Sequence, residues 1–214
     1  MMVQKYLTCT IIHLPNRMTN QKEFLINYFN EQSSCLKELS NDTTLFTSVV
    51  EKLLEARSSD SLIITMGNGG SASTASHFTA DLLKTAIMKD QKRFRALCLT
   101  DNIPVMTAWS NDTSHDEIFK EQLQNFIKKN DVIIAFSGSG KSKNVVKALE
   151  LAKESGAYLI GFTGMSGGDF IEICDICIKI PSTNMLTIES FHLMLCHIII
   201  SCIREKGTPE FSYE

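Results

Sequence analysis

The sequence lacks an excess of charge of either sign and lacks a long apolar run. Its 21 Lys and Arg residues nearly balance its 24 Asp and Glu residues and are scattered, which leaves a net charge of −3. Proteins that bind nucleic acid or an anionic membrane electrostatically carry a basic patch, so the sequence favours neither partner. No stretch of about 18 apolar residues occurs, and no small-residue cleavage site follows the apolar patch at residues 7–12. We therefore expect a cytoplasmic protein.

A disulfide framework is also lacking. The seven cysteines are an odd number, and several lie within apolar runs, as buried thiols do in a reducing compartment. Only Cys174 and Cys177 have the spacing of a metal or redox pair, and no second such pair completes a zinc site. We interpret the cysteines as structural.

Short apolar runs alternate with amphipathic stretches after Asp60. The runs predict strands at 61–66, 94–99, 131–137, 157–162 and 176–180. The stretches between them predict helices at 71–88, 103–109, 116–128, 142–155, 168–173 and 186–205. Two further amphipathic helices are predicted within residues 20–57, with Asn20 and Glu23 forming a helix-start signature. This alternation predicts an α/β fold, in which a parallel sheet is covered by helices on both faces.

The chain is predicted to contain one domain with two short ends. We interpret residues 1–17 as an N-terminal extension, which a misassigned start before Met18 would explain. Residues 18–207 form the single domain, and residues 208–214 form a short polar tail. The last helix has a stop signal at Lys206-Gly207, which Pro209 follows. The two N-terminal helices are predicted to cover the sheet or to pack in an oligomer.

Two predicted strands run directly into loops of glycine and serine that precede a helix. The first loop is Gly67-Asn68-Gly69-Gly70-Ser71, and the second is Ser137-Gly138-Ser139-Gly140-Lys141-Ser142. Glycine lets the backbone approach a ligand, and the N–H groups of a helix start and serine hydroxyls donate to anions. Loops that follow parallel strands meet at one edge of the sheet. The sequence therefore predicts a pocket for a phosphorylated small molecule.

The second loop is one residue away from a nucleoside triphosphate-binding pattern, because Ala135 stands where that pattern requires glycine. Ala135 lies within the predicted strand, which shortens the loop, and no second apolar strand ends in an Asp that would hold Mg²⁺. An NTPase is therefore the least favoured function. A plain turn capped by Ser142 would explain one such loop, but two of them favour a binding site.

Six motifs occur in the order found in the SIS (sugar isomerase) domain family. They are Gly67-Asn68-Gly69-Gly70-Ser71-Ala72-Ser73 with His77-Phe78, Trp109-Ser110-Asn111-Asp112, Ser137-x-Ser139-Gly140-x-Ser142-x-Asn144-Val145, Thr163-Gly164-x-x-Gly167-Gly168, Pro181-Ser182, and a helix with Glu189, His192 and His197. From about residue 20 to 205 the chain resembles the phosphoheptose isomerases of this family, which convert sedoheptulose 7-phosphate to D-glycero-D-manno-heptose 7-phosphate. The resemblance implies a flavodoxin-like, five-stranded parallel sheet between helix layers. It also implies a homotetramer with active sites between subunits.

The spacing of the acidic residues and histidines alone does not define an active site. His77 and Asp81 share one helix face, but helix geometry does not choose between His192 and His197. By the resemblance, one zinc ion per subunit is bound by His77, Asp81, Glu189 and His197, and the proton transfers fall to Asp81 and His197. His192 is then a supporting or structural residue. The resemblance, together with the loops, assigns the phosphorylated substrate to Asn68, Gly69, Gly70, Ser71, Asp112, Ser137, Gly138, Ser139, Ser142 and Glu189.

Three positions depart from the family pattern. Asp81 replaces a Glu, Glu189 replaces a Gln, and Thr187 replaces an Arg. The first change shortens the predicted base by one methylene, and proton transfer requires an approach of about 3 Å. Two carboxylates and two imidazoles are still suitable zinc ligands. The isomerase chemistry is therefore retained, adapted to another sugar, or lost.

Two other functions stay open beside a phosphoheptose isomerase of lipopolysaccharide or capsule biosynthesis. Some SIS proteins that bind the bacterial replication initiator keep the tetramer and lack the catalytic residues, and Thr100-Asp101-Asn102 resembles that branch. In that branch the position of His197 is typically not histidine, which favours catalysis here. A sensor or an isomerase of another phosphosugar would use the same pocket.

Overall fold

The computed structural model describes residues 20–213, so the predicted extension at residues 1–17 lies outside the described residues. The described chain contains one five-stranded sheet with the strand order β2-β1-β3-β4-β5, and all neighbouring strands are parallel. The strands are β1 (Leu62–Gly67), β2 (Arg95–Cys98), β3 (Val132–Phe136), β4 (Tyr158–Thr163) and β5 (Ile176–Lys179). The predicted five-stranded parallel sheet is confirmed.

Helices cover both faces of the sheet. They are α1 (Gln21–Asn41), α2 (Thr44–Ser59), α3 (Gly70–Ala80), α4 (Ile103–Asp112), α5 (Ile118–Leu123), α6 (Lys143–Glu154), α7 (Phe170–Ile173) and α8 (Met185–Arg204). Strand β3 shows why two layers form, because its buried side chains alternate between two hydrophobic clusters. Ile134 packs in a cluster with α2, α3 and α8, whereas Ile133 packs in a cluster with α5 and α6. The predicted three-layer sandwich is confirmed.

The strand order reverses between β1 and β3, which lie side by side in the sheet. Their ends are level, since Gly67 of β1 pairs with Phe136 of β3. In open parallel sheets, ligands bind outside the carboxyl ends of the strands at such a switch point. The two glycine–serine loops follow β1 and β3 respectively, so both stand where this architecture places a ligand.

Two predicted helices differ from the structure in form and length. The helix predicted at 71–88 consists of α3 followed by a π-helix at Asp81–Thr85, in which the Ala86 N–H donates to the Asp81 carbonyl oxygen over 2.8 Å. The helix predicted at 116–128 is a 3-10 turn at His115–Glu117 followed by α5. After α5 the backbone continues in turns that join residues three apart, such as Asn125 N–H to the Gln122 carbonyl. Apolar periodicity does not distinguish these hydrogen-bonding patterns from α-helix.

Among the described helices, α8 alone is long and apolar enough by composition to cross a membrane, with a mean hydropathy of 1.7. Half of that apolar segment is buried, and α8 packs against α2, α3 and β4. Its apolar composition follows from this packing against the core, and it carries two of the predicted site residues, the half-buried Glu189 and the exposed His197.

Helix α1 begins as predicted and leaves much apolar surface exposed. The Asn20 side chain accepts a hydrogen bond from the Lys22 N–H at 3.1 Å. Five large apolar side chains of α1 are exposed, namely Phe24, Leu25, Ile26, Phe29 and Leu36. A stripe of this kind on a monomer is typical of a surface that another chain covers.

Candidate active site

The second loop brings three serine hydroxyls together at the end of β3. The Ser137 Oγ lies 3.0 Å from the Ser142 Oγ and 3.4 Å from the Ser139 Oγ. Ser142 directly precedes α6, but its side chain makes no capping hydrogen bond to that helix. The Ser142 side chain therefore does not act as a helix cap in this structure. The three hydroxyls can exchange their mutual hydrogen bonds for the oxygens of one phosphate.

The backbone of the second loop leaves no room for larger residues. Gly140 has a φ of +64°, and a Cβ there would overlap the Gly167 carbonyl. A Cβ at Gly138 would overlap the sulfur of Met185, at the start of α8. Gly140 is therefore required by close packing of the loop against the backbone at Gly167, whereas the flexible Met185 side chain could move away from a residue larger than Gly138.

The two loops are joined by a pair of side-chain amides. The Asn68 Nδ2 donates to the Asn144 Oδ1 at 2.8 Å, and the Asn144 Nδ2 donates to the Asn68 Oδ1 at 2.9 Å. Asn144 is buried in the first turn of α6, and its amide also lies 3.2 Å from the Nε2 of His115. Asn68 was predicted to contact the sugar, and in the structure its side chain is hydrogen-bonded to Asn144. The family motif contained Asn144, but the sequence did not predict this role.

Three predicted metal ligands lie close together: His77 on α3, Asp81 directly after α3, and His197 on α8. The Nε2 atoms of His77 and His197 are 3.0 Å apart, and the Asp81 Oδ2 lies 3.5 Å from the first and 3.8 Å from the second. A tetrahedral zinc ion bonded at about 2.0 to 2.1 Å keeps its ligand atoms about 3.3 Å apart. The three atoms therefore fit one zinc ion. Three protein ligands leave one position open, as in catalytic zinc sites.

The metal cluster, meaning His77, Asp81 and His197, adjoins an irregular turn. His77 lies on α3, and Asp81 is the first residue of the π-helix. The Asp81 Oδ1 accepts a hydrogen bond from the Thr85 Oγ1 at 2.8 Å, which leaves the other oxygen for the imidazoles. Short π-helical turns occur frequently at functional sites.

Glu189, the fourth predicted ligand, is not in the metal cluster. It precedes His197 by eight residues on α8, which places it about 12 Å away along the helix axis. Its carboxylate packs against Gly70 of the first loop, where a Cβ would overlap it. A single chain therefore does not bring Glu189 to the cluster. The structure places it instead beside the loop predicted to bind substrate.

Three further residues predicted to bind the substrate lie at the start of α3 or at the end of α4. Gly69 precedes α3 with a φ of +57°, and Ser71 is buried in the first turn of that helix. Asp112 lies at the exposed end of α4, where its Oδ1 accepts a hydrogen bond from the Asn111 side chain at 2.8 Å. An open cleft of about 500 Å³ runs beside His77, with Ser73, Ser76, Thr100 and Asp101 in its lining.

His192 is packed into the core. Its ring packs against both Phe136 and Phe162, whose rings stack on each other, and its centroid lies 5.9 and 6.1 Å from theirs. Neither ring nitrogen has a hydrogen-bond partner among the described residues, and burial lowers the pKa of this imidazole to about 4. His192 is therefore neutral near pH 7. This position suits the structural role predicted for it.

The comparisons with known proteins agree with this architecture. Residues 27–164 match the SIS domain family. The chain belongs to the SIS domain family. This SIS domain is 38% identical over 158 residues to a probable phosphoheptose isomerase of Thermoplasma acidophilum. The aligned region covers 74% of this chain and 86% of that protein. It is 33% identical over 192 residues to phosphoheptose isomerase 2 of Campylobacter jejuni, which covers 88% of this chain and 95% of that protein.

Solved structures give the same result for the SIS domain described here. It matches a phosphoheptose isomerase from Francisella tularensis with a TM-score of 0.81 and 25% identity. The match covers 88% of this chain and 100% of that protein. It matches phosphoheptose isomerase from Neisseria gonorrhoeae with a TM-score of 0.79 and 28% identity, covering 86% of this chain and 99% of that one. The predicted resemblance to the phosphoheptose isomerase branch is confirmed.

Proposed function

We propose that this SIS domain interconverts the ketose and aldose forms of a phosphorylated sugar, with sedoheptulose 7-phosphate and D-glycero-D-manno-heptose 7-phosphate as the pair. The observation that carries the proposal is the convergence of His77, Asp81 and His197 on one point, in a chain whose two glycine–serine loops occupy the switch point of the sheet. The names of the relatives support the choice of sugar. A heptose phosphate of this kind feeds lipopolysaccharide core or capsule assembly in the cytoplasm.

The phosphate end of the substrate is assigned to the second loop. Ser137, Ser139 and Ser142 supply hydroxyl donors around one point, and the N-terminus of α6 lies directly behind them. Binding of the phosphate is remote from the reacting carbons. Its free energy therefore serves to hold those carbons in the geometry that the reaction needs.

The proton transfers are assigned to Asp81 and His197. Isomerisation moves a hydrogen from one carbon to its neighbour, so it needs a base that removes the proton beside the carbonyl and an acid that protonates the carbonyl oxygen. The Asp81 carboxylate takes the first role and the His197 imidazole the second. Zinc held by His77, Asp81 and His197 would supply a Lewis acid that stabilises the negative charge of the enediolate.

The replacement of the family's Glu by Asp81 is compatible with this chemistry. Although its side chain is one methylene shorter, the Asp81 Oδ2 still lies 3.5 Å from the His77 Nε2. Asp81 follows His77 by one regular helical turn, since its N–H donates to the His77 carbonyl, so the two side chains share one face. We therefore favour an active enzyme over a SIS protein that only binds a partner.

The proposed assembly is a homotetramer with active sites between subunits. Both imidazoles of the metal cluster are exposed in the single chain, and so is the apolar stripe of α1. Residues at a site between subunits are expected to be exposed in each chain alone. In such an assembly Glu189, which does not reach the cluster of its own chain, stays a predicted ligand.

The proposal is tested by incubating zinc-loaded protein with sedoheptulose 7-phosphate and following aldose formation by NMR. A metal-stripped sample and the Asp81→Asn variant are measured in parallel. Turnover that is lost in both would support the metal and the carboxylate base. Turnover that survives in Asp81→Asn would remove Asp81 from the mechanism. A folded protein that gains thermal stability from several sugar phosphates and converts none of them would be a sensor instead.

A further inference from the structure

The residues after α8 fold back along residues 87–89, which follow the π-helix at Asp81–Thr85. Residues 207–213, here called the C-terminal strap, run antiparallel to the segment that follows the π-helix. The Lys89 N–H donates to the Thr208 carbonyl at 2.9 Å, and the Glu210 N–H donates to the Ile87 carbonyl at 2.9 Å. Met88 and Pro209 form an antiparallel bridge between these hydrogen bonds. The polar tail predicted from the sequence is therefore docked along the domain.

Two aromatic residues of the strap are held by cations from the elements that carry the cluster. Arg204, near the end of α8, donates to the Thr85 carbonyl and to the Phe211 carbonyl, each at 2.8 Å. Its guanidinium lies 4.9 Å from the ring centre of Tyr213. The Lys84 Nζ, on the π-helix, lies 4.4 Å from the ring centre of Phe211 and 4.7 Å from that of Tyr213. The Tyr213 ring thus joins the π-helix to α8.

A chain of hydrogen bonds leads from the strap to Asp81. The Lys84 Nζ donates to the Tyr213 Oη, and the Tyr213 Oη donates to the Thr85 Oγ1 at 3.5 Å. The Thr85 Oγ1 donates to the Asp81 Oδ1 at 2.8 Å. Each hydroxyl in the chain has one proton and uses it once, so the directions are consistent. The chain ends on the Asp81 oxygen that does not face the imidazoles.

We propose that Tyr213 is a positioning residue for the Asp81 carboxylate. A threonine hydroxyl on a helix can rotate to donate to the carbonyl one turn earlier. By donating to the Thr85 oxygen, Tyr213 leaves the Thr85 proton directed at Asp81. Asp81 is then fixed with its Oδ2 toward His77 and His197. This inference rests on the proposed function, because it concerns the metal and base role of Asp81.

The test measures Co²⁺ affinity and the visible absorption of the bound ion, which reports ligand geometry. Tyr213→Phe keeps the ring and its contacts with the cations but removes the hydroxyl, and Tyr213→Ala removes both. Glu210→Ala is the matched control, since its side chain is exposed and only its backbone contacts the domain. Loss of a group that orients a metal ligand costs roughly 10 to 100-fold in affinity. For Tyr213→Phe, which acts through Thr85, we expect a loss of about 3 to 10-fold and an altered spectrum.

Two further measurements separate positioning from general stability. We expect the kcat of Tyr213→Phe to fall by a similar factor with an unchanged KM, because the phosphate loop is untouched. We also expect Thr85→Val to lose more Co²⁺ affinity than Tyr213→Phe. The double variant should lose no more than Thr85→Val alone, because both changes act through the hydrogen bond from Thr85 to Asp81. Unchanged affinity and spectrum in Tyr213→Phe, or additive losses in the double variant, would overturn the proposal.

The same data distinguish this proposal from the proposed function. A wild-type chain that binds no Co²⁺ would show that the metal site itself is wrong, and the positioning role would fall with it. A wild-type chain that binds Co²⁺ but converts no heptose phosphate would refute only the proposed reaction. The dependence of the Co²⁺ affinity on Tyr213 would then still support or overturn the positioning role.

Discussion

The Nε2 atoms of His77 and His197 face each other across 3.0 Å, although 120 positions separate the two residues in the chain. Their rings are inclined at 64°, with centroids 4.9 Å apart. Two imidazole nitrogens at this distance form a hydrogen bond only if one carries a proton and the other does not. With the Asp81 Oδ2 also nearby, an ion that accepts all three atoms satisfies them at once. The arrangement is therefore one that could hold a metal ion.

His197→Ala is expected to weaken zinc binding by more than about 100-fold, since it removes a direct ligand and even the partners of ligands are worth 10 to 100-fold. Competition with a coloured chelator measures the affinity, and the isomerase assay should show no turnover. Ser201→Ala is the control, because Ser201 lies one turn further along α8 and is exposed. An unchanged zinc affinity in His197→Ala would contradict the site.

Ser137→Ala is expected to raise the KM for the sugar phosphate by about tenfold or more, because a hydrogen bond to a charged group contributes roughly 1.5 to 3 kcal/mol. The comparison of sedoheptulose 7-phosphate with unphosphorylated sedoheptulose in a thermal-shift assay isolates the phosphate. Stabilisation by the phosphate ester should be reduced in the variant. Ser155→Ala, at the opposite end of α6, serves as the control. Equal stabilisation in Ser137→Ala and Ser155→Ala would argue against this loop as the phosphate site.

The paired amides of Asn68 and Asn144 are expected to be coupled energetically. Asn144→Ala should cost about 1 to 3 kcal/mol in the free energy of unfolding, because it removes a buried amide and leaves the partly buried amide of Asn68 without these hydrogen bonds. A double-mutant cycle with Asn68→Ala should give an interaction energy of about 1 kcal/mol, within the range for residues in direct contact. Urea unfolding of the four proteins measures it. Strictly additive losses would show that the two loops are held by other contacts.

The sheet and the two loops could be predicted from the sequence because each depends on local pattern. Strand β3 is buried on both faces, so it reads as a continuous apolar run, and the loop that follows it is marked by glycine and serine. The position of the loops at one edge follows from the parallel order of the strands. None of these inferences needs a contact between distant parts of the chain.

The supports of the site could not be predicted in this way. The π-helical turn at Asp81 adds one residue to a helix whose apolar spacing still resembles that of an α-helix. The hydrogen bond from Tyr213 to Thr85 joins residues 128 positions apart, in a tail that is polar and lacks a periodic pattern. The resemblance placed Glu189 with the metal ligands, but its distance from His197 along α8 separates them within one chain. Such relationships depend on the folded backbone.

Protonation of His192 is expected to make the fold sensitive to acid. Burial holds the pKa of this imidazole at about 4 in the folded state, below its ordinary value of 6.5. As the pH falls through 6.5, the unfolded chain binds a proton that the folded chain does not, so acid favours unfolding. The stability is therefore complete above about pH 6.5 and is lost between pH 6.5 and 4. At pH 5 the loss from this group is about 2 kcal/mol.

The variant His192→Leu tests this effect, because leucine packs against Phe136 and Phe162 with a side chain that does not titrate. Urea unfolding of both proteins at pH 7.5 and pH 5.0 gives the loss of stability on acidification for each. The loss should be smaller in the variant by about 2 kcal/mol, because the two proteins differ in this one ionisable group. Equal losses in the two proteins would mean that the folded state accepts a proton on His192 near pH 6.5, which the burial of the imidazole against two phenyl rings argues against.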